Sequence, residues 1–174
     1  MAKIKRKISI KDIAFLAMLG AIMFSSKIIM ELLPNIHLIG VFVIAVTVVY
    51  RKYALYSIYV FVFLSGLFYG FASWWVAYLY VWTILWGVVM LLPKNLPNKV
   101  KPVIYMLVLG LHGLFYGILT SPVQALFFGL NLKGTLTWIA AGLPFDAVHG
   151  ISNFICGITI PPIISVLQKA KTKT

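Results

Sequence analysis

The chain is poor in negative charge. Only Asp12, Glu31 and Asp146 are acidic, against 15 Lys and Arg in 174 residues. Three acids leave little for metal chemistry. No stretch matches the "GxxxxGK[ST]" pattern of a phosphate-binding loop, so any energy from ATP has to come from another chain. Cysteine is as scarce: Cys156 alone permits no internal disulfide and no cysteine metal cluster, and is expected to be a small buried residue. Charged residues of both signs make up 10% of the sequence, whereas 62% is hydrophobic and the mean hydropathy is +1.02. A soluble core of this size cannot hide so much apolar surface, and the composition is that of a polytopic membrane protein.

The net charge of +12 would suit nucleic acid, but the basic residues sit in short clusters between long apolar runs. A spanning helix needs about 20 residues. Six runs qualify, with soft boundaries: Asp12 to Leu33, Ile36 to Tyr50, Ala54 to Phe71, Trp74 to Leu92, Val103 to Thr120, and Phe145 to Leu167. Pro34-Asn35, Arg51-Lys52, Pro93 to Pro102 and Ser121-Pro122 supply turns between them. A cytoplasmic N-terminus puts thirteen of the fifteen basic residues inside, leaving only Lys27 and Lys133 elsewhere. The positive-inside rule therefore predicts that both termini are cytoplasmic. The first run follows basic residues as a signal peptide would, but it continues to Leu33 without a small-x-small cleavage site, so it is expected to stay as a helix. The whole chain reads as an all-α, six-helix membrane domain, 1–174. It has a basic N-terminus, 1–11, and a basic tail, 168–174. An outer segment, 121–142, is long for a loop, is rich in Phe, Leu and Trp, and is expected to fold back as a lid.

The stretch "GLPFDAVHGISNF" places Asp146, His149 and Asn153 near the outer end of the sixth helix. Strongly polar groups in a bilayer cost several kcal/mol unless they face a partner or a wet cavity. At about 100° per residue the three share an arc of about 60°. Gly150 and Gly157 border it, which points the stripe at protein and not lipid. A hydrogen-bond network between helices would account for them, and so would a substrate pocket; their outer depth beside the lid-like segment favours the pocket. Near the outer end of the first helix stand Lys27 and Glu31, with Asn35 and His37 in the following turn. An i,i+4 ion pair with a snorkelling lysine explains the first two without a ligand; a pocket is the alternative. The fifth helix adds His112, Tyr116 and, at its outer side, Gln124. In "SWWVAYLYVWTILW", Trp74 and Trp75 suit the membrane interface, while Tyr78 and Trp82 run deeper on one face and could stack on a planar ligand. Away from the Lys27/Glu31 face, Ala14, Ala17, Ala21 and Ser25 make a groove of small side chains, the kind that admits a close partner helix.

Six short helices, both termini inside, "AMLGA" as an Ala-xxx-Ala motif, a "PNIHL" turn and "PFDAVHGISNF" together resemble the substrate-binding S components of energy-coupling factor (ECF) vitamin transporters, over residues 10–167. The resemblance implies a multi-pass subunit of the bacterial plasma membrane that binds a vitamin or vitamin precursor from outside, with the first outer loop as gate. It implies that Ala17 and Ala21 dock on a membrane coupling subunit driven by two cytoplasmic ATPases, and that the S component topples during transport. Neither catalysis nor a cofactor is expected. Pocket residues differ among members, so Asp146, His149 and Asn153 rest on position and chemistry. The nickel and cobalt branch carries an N-terminal metal-binding segment; this chain begins "MAKIKRK" with no histidine before His37, so a metal ion is not the expected substrate. Two other readings compete. One is a small autonomous oligomeric carrier or channel. The other is an intramembrane enzyme with Asp146 and His149 as acid and base, and His37 or His112 completing a metal site. A pocket of aromatic rings, one carboxylate, one imidazole and one amide would suit a planar heterocycle bearing hydrogen-bond donors.

Overall fold

The computed structural model describes residues 8–33, 36–93 and 95–173, and the regular structure among them is entirely helical. Helix α1, Ile10–Ile29, starts at a capping box: the Ser9 side chain accepts the Asp12 N–H, and the Asp12 carboxylate accepts the Ser9 N–H. One of the three acids thus serves a helix start. Helix α3, Ala54–Tyr69, runs beside α1. Gly20 permits their approach, since a Cβ there would lie 2.6 Å from the Ser57 carbonyl oxygen. Ser57 Oγ donates to the Leu16 carbonyl at 2.7 Å and ties the pair lower down.

Between them in sequence lies α2, Ile39–Tyr50, of which ten of twelve residues are buried. A helix apolar on all sides belongs inside a bundle, and "IGVFVIAVTVVY" has no polar face at all. It packs on α3, on α4 (Ser73–Leu91) and on α8 (Ile160–Lys173). At Arg51 the backbone takes φ 54°, unusual for a residue with a side chain, and the chain turns back into α3. The turn is held from both sides: Arg51 Nη2 donates to the Met90 carbonyl at 3.0 Å, and Trp86 Nε1 donates to the Arg51 carbonyl at 3.1 Å. Lys171 Nζ donates to the Val49 carbonyl at 2.8 Å, so basic side chains from the α2–α3 turn and from α8 gather at one end of the bundle.

The second half of the chain is two long helical rods, each interrupted. Helix α5, Lys101–Leu114, breaks at Phe115 and resumes as α6, Tyr116–Phe128. Pro122 inside α6 cannot bond the Ile118 carbonyl; Ser121 Oγ donates to that oxygen instead, at 2.9 Å. Gly129, at φ 62°, ends α6, and Asn131 caps α7, Leu132–Cys156, by accepting the Gly134 N–H at 2.8 Å. A 3₁₀ turn, Gly157–Thr159, leads into α8, whose first turn carries Pro161 and Pro162. Helices α5 and α7 pack at glycine distance: a Cβ on Gly150 would sit 3.1 Å from the Gly110 carbonyl oxygen, and one on Gly157 2.9 Å from Met106 Cα.

Among the described residues, five stretches are long and apolar enough to cross a membrane: Ile10–Leu32, Ile39–Tyr69, Ser73–Leu91, Lys101–Phe128 and Leu132–Lys171. The second of these is divided by the Arg51 turn, where the sequence placed two separate runs. The larger difference concerns residues 121–142. Expected as an outer segment folded partly back as a lid, they are the adjoining ends of α6 and α7, joined by a short turn at 129–131. Pro122, whose Ser121-Pro122 pair was expected to make a turn, lies within a helix, as does Pro144. Cys156, expected buried, is partly exposed. Residues 1–7 of the basic N-terminus, Pro34, Asn35, Lys94 and residue 174 lie outside the described residues.

Candidate binding site

A cavity of about 610 Å³ opens between α4, α6 and α7, toward the end of the bundle away from Arg51, and closes on the residues that precede α2. Its walls are largely aromatic, with Trp74 and Tyr78 from α4, Tyr116 from α6, and Trp138 and His149 from α7. At its base the rings form a closed circuit. Trp82 meets His37 at 6.1 Å between centroids, His37 meets His149 at 4.7 Å, His149 meets Tyr116 at 5.0 Å, Tyr116 meets His112 at 6.4 Å, and His112 returns to Trp82 at 5.6 Å. Edge-to-face and tilted contacts at these distances are the favoured aromatic geometries, so the base of the cavity is a preformed platform.

Asp146 stands one helical turn above His149, and the break at Phe115 explains its position. A helix start leaves backbone N–H groups without partners and carries partial positive charge. The Asp146 carboxylate accepts the Gly117 N–H in the first turn of α6, at 3.0 Å to one oxygen and 3.2 Å to the other. Glycine at 117 lets the carboxylate come this close, because a Cβ there would overlap it unless the Asp146 side chain moved. An ionised carboxylate offers about four lone-pair positions, and one shared N–H leaves the rest for whatever fills the cavity. Asp146 also lines that cavity.

Several buried polar atoms around the platform lack a partner among the described residues: His37 Nδ1, His112 Nδ1, His149 Nε2, Trp82 Nε1, and Asn153 Oδ1 and Nδ2. His112 Nε2 donates to the Val81 carbonyl at 3.2 Å, which leaves its other nitrogen as the acceptor. His37 lies between the spanning stretches; burial, with His112 and Lys27 nearby adding to it, pushes its imidazole down from 6.5 to about 4. It is therefore neutral at physiological pH and presents one donor and one acceptor.

The sequence-derived candidates fall into three groups. His37, Tyr78, Tyr116, Asp146 and His149 line the cavity together. Trp82, His112 and Asn153 are buried at or behind its base and are not among its walls. Lys27 and Glu31 form an ion pair at 3.7 Å, and Lys27 Nζ rests 3.7 Å from the Tyr69 ring centre, also off the cavity wall. Asn35 lies outside the described residues. On α1, Leu16, Leu19, Gly20 and Met23 are the buried stripe, whereas Ala14 and Ser25 are exposed and Ala17 and Ala21 partly so. The small side chains thus face outward from the bundle. Trp138 lines the cavity without having been singled out for it, and Gln124, named with His112 and Tyr116, lines it too, its Oε1 buried and without a partner among the described residues. Stepping back from Asp146 by four and then eight residues reaches Gly142 and Trp138, so the same helical periodicity carries the signal once α7 is extended outward. No group of three or more His, Cys, Asp or Glu among the described residues is arranged to hold a metal ion.

The chain matches no protein-family model, no curated protein and no solved structure.

Proposed function

We propose that the protein is the membrane-embedded substrate-binding subunit of an ECF-type importer, taking a vitamin or vitamin precursor from outside the bacterial plasma membrane. The observation that carries this reading is a cavity with a floor. Below the ring platform lie the side chains of α2 and its neighbours, among them Val41, Ile44, Leu85, Val89 and Leu109, all buried. A site open toward one end and stopped by a packed core at mid-depth suits a protein that captures a solute and relies on a larger motion to deliver it. It does not suit a pore or a small carrier with two gates. In this reading the chain crosses the membrane six times, with α2 and α3 as separate crossings and the Arg51 and Lys171 end in the cytoplasm, in keeping with the positive-inside rule. The outward-facing small residues of α1 are the surface for the membrane coupling subunit, and two cytoplasmic ATPases supply the energy.

Purification of the tagged protein from its native membranes in mild detergent tests the proposal. A stoichiometric complex with one further membrane protein and two ATPase subunits is expected. Solute uptake into vesicles that contain this chain alone would overturn it.

A further inference from the structure

The cavity has a chemical bias that goes beyond binding a vitamin-like solute, and the inference rests on that reading only for the identity of the site. Among the described residues that line it, Asp146 is the one acidic side chain, and no Lys or Arg contributes to the wall. The nearest candidate, Lys27, is turned toward Glu31 and the Tyr69 ring. Asp146 is 6% exposed, and among the described residues its donor is the Gly117 N–H. A buried carboxylate in that position calls for a positive or donor-rich counterpart. The rest of the wall offers the faces of Trp74, Tyr78, Tyr116 and Trp138, which attract cations and stack on flat rings. The unpartnered nitrogens of His37 and His149 and the unpartnered Gln124 oxygen add positions for a ligand's polar edge.

We infer that this cavity selects a ligand built on a flat, positively charged nitrogen heterocycle, whose charge sits between the Asp146 carboxylate and the aromatic faces, and that it rejects ligands bearing a carboxylate or phosphate. An anion would meet Asp146 with no cationic side chain to offset it, whereas a neutral ring would gain the stacking alone.

A charge series on one ring tests this: N-methylquinolinium, quinoline and quinoline-3-carboxylate, titrated calorimetrically into the detergent-solubilised protein up to millimolar concentration. The cation is expected to bind about tenfold or more tighter than the neutral ring, the size of a desolvated cation–π and ion contact, and the carboxylate is expected not to bind. Asp146→Asn keeps an acceptor for the Gly117 N–H and is expected to erase the preference for the cation. Should that variant fail to fold, Gln124→Lys places a positive charge on the wall and is expected to erase it as well. Equal or tighter binding of the neutral ring, tightest binding of the carboxylate, or no binding by any of the three overturns the inference. Copurification of the ATPase module from the same cells separates the two readings. An associated module with a preference for the anion sinks only the ligand class, and a cation preference without a module sinks only the importer.

Discussion

Asp146 belongs to two structures at once. It accepts the Gly117 N–H at the start of α6 and it faces the cavity, so changes at Asp146 and Gly117 separate the two roles. Asp146→Ala removes acceptor and charge together and is expected to cost about 1–3 kcal/mol of stability, the penalty for an unpaired buried N–H. Asp146→Asn keeps the acceptor and is expected to lose much less. Gly117→Ala pushes a methyl into the carboxylate, so the Asp146 side chain has to shift, and is expected to destabilise by about 1–3 kcal/mol through overpacking. Apparent melting temperatures of the three variants in one detergent check the order, and a fully stable Gly117→Ala would mean that the contact is looser than the geometry indicates. His37 gives a pH signature. Its imidazole falls from 6.5 to about 4 on folding, so the folded state favours the neutral ring. The associated stability is complete above pH 6.5 and drains away as the pH falls toward 4, by on the order of 3 kcal/mol in all. Thermal unfolding between pH 7.5 and 4 is expected to show this loss, and His37→Gln to flatten it.

Helix α1 has two unlike sides. Leu16, Gly20 and Met23 are buried against the bundle, and the partly exposed Ala17 and Ala21 face away from it. Replacing both alanines with Trp is expected to leave thermal stability and probe binding near wild type, while abolishing association with the coupling module, because a bulky ring prevents close helix approach. Unchanged copurification would remove α1 from the docking role. Helix α6 offers a second test of how this chain tolerates its breakers. Ser121→Ala leaves the Ile118 carbonyl without the donor that Pro122 cannot supply and is expected to cost about 1 kcal/mol in thermal unfolding; Pro122→Ala in the same background restores a backbone donor and is expected to recover it. The same device explains why Ser121-Pro122, expected as a turn, lies inside a helix. Ser-Pro reads as a stop signal in a sequence taken alone, but inside a membrane protein a neighbouring hydroxyl can satisfy the freed carbonyl, and nothing local announces that it will.

The bundle is organised around a helix that touches little but protein. Its apolar runs were legible because bilayer thickness sets their length, and the polar stripe on the sixth helix was legible because its three members share one face. The cavity itself was not, since its base depends on His37 reaching His149 and Trp82 from a different part of the chain, and no periodicity links those positions. Lys27 and Glu31 lie four apart and satisfy each other locally, which sequence can suggest but only packing can separate from a pocket. Trp82 shows how far the whole depends on the base. It is 1% exposed and contacts Phe61, Tyr78, His37 and His112. Trp82→Ala is expected to cost about 3–5 kcal/mol, measured as a large drop in apparent melting temperature, with probe affinity lost in parallel as the base opens.

The shortness of α2 bears on how the chain is made. During synthesis α1 is followed by a twelve-residue helix which, at about 18 Å, cannot reach across about 30 Å of hydrocarbon. Its lodging is not yet built: α4 is still to come, and α8, the other main neighbour of α2, is made after all the other described helices. Lys171, in α8, reaches back to the Val49 carbonyl to close that contact. The centre of the described bundle is therefore sealed by α8. A chain cut short before Ile160 is expected to leave the buried face of α2 without that cover, exposing backbone and apolar side chains that the complete bundle hides.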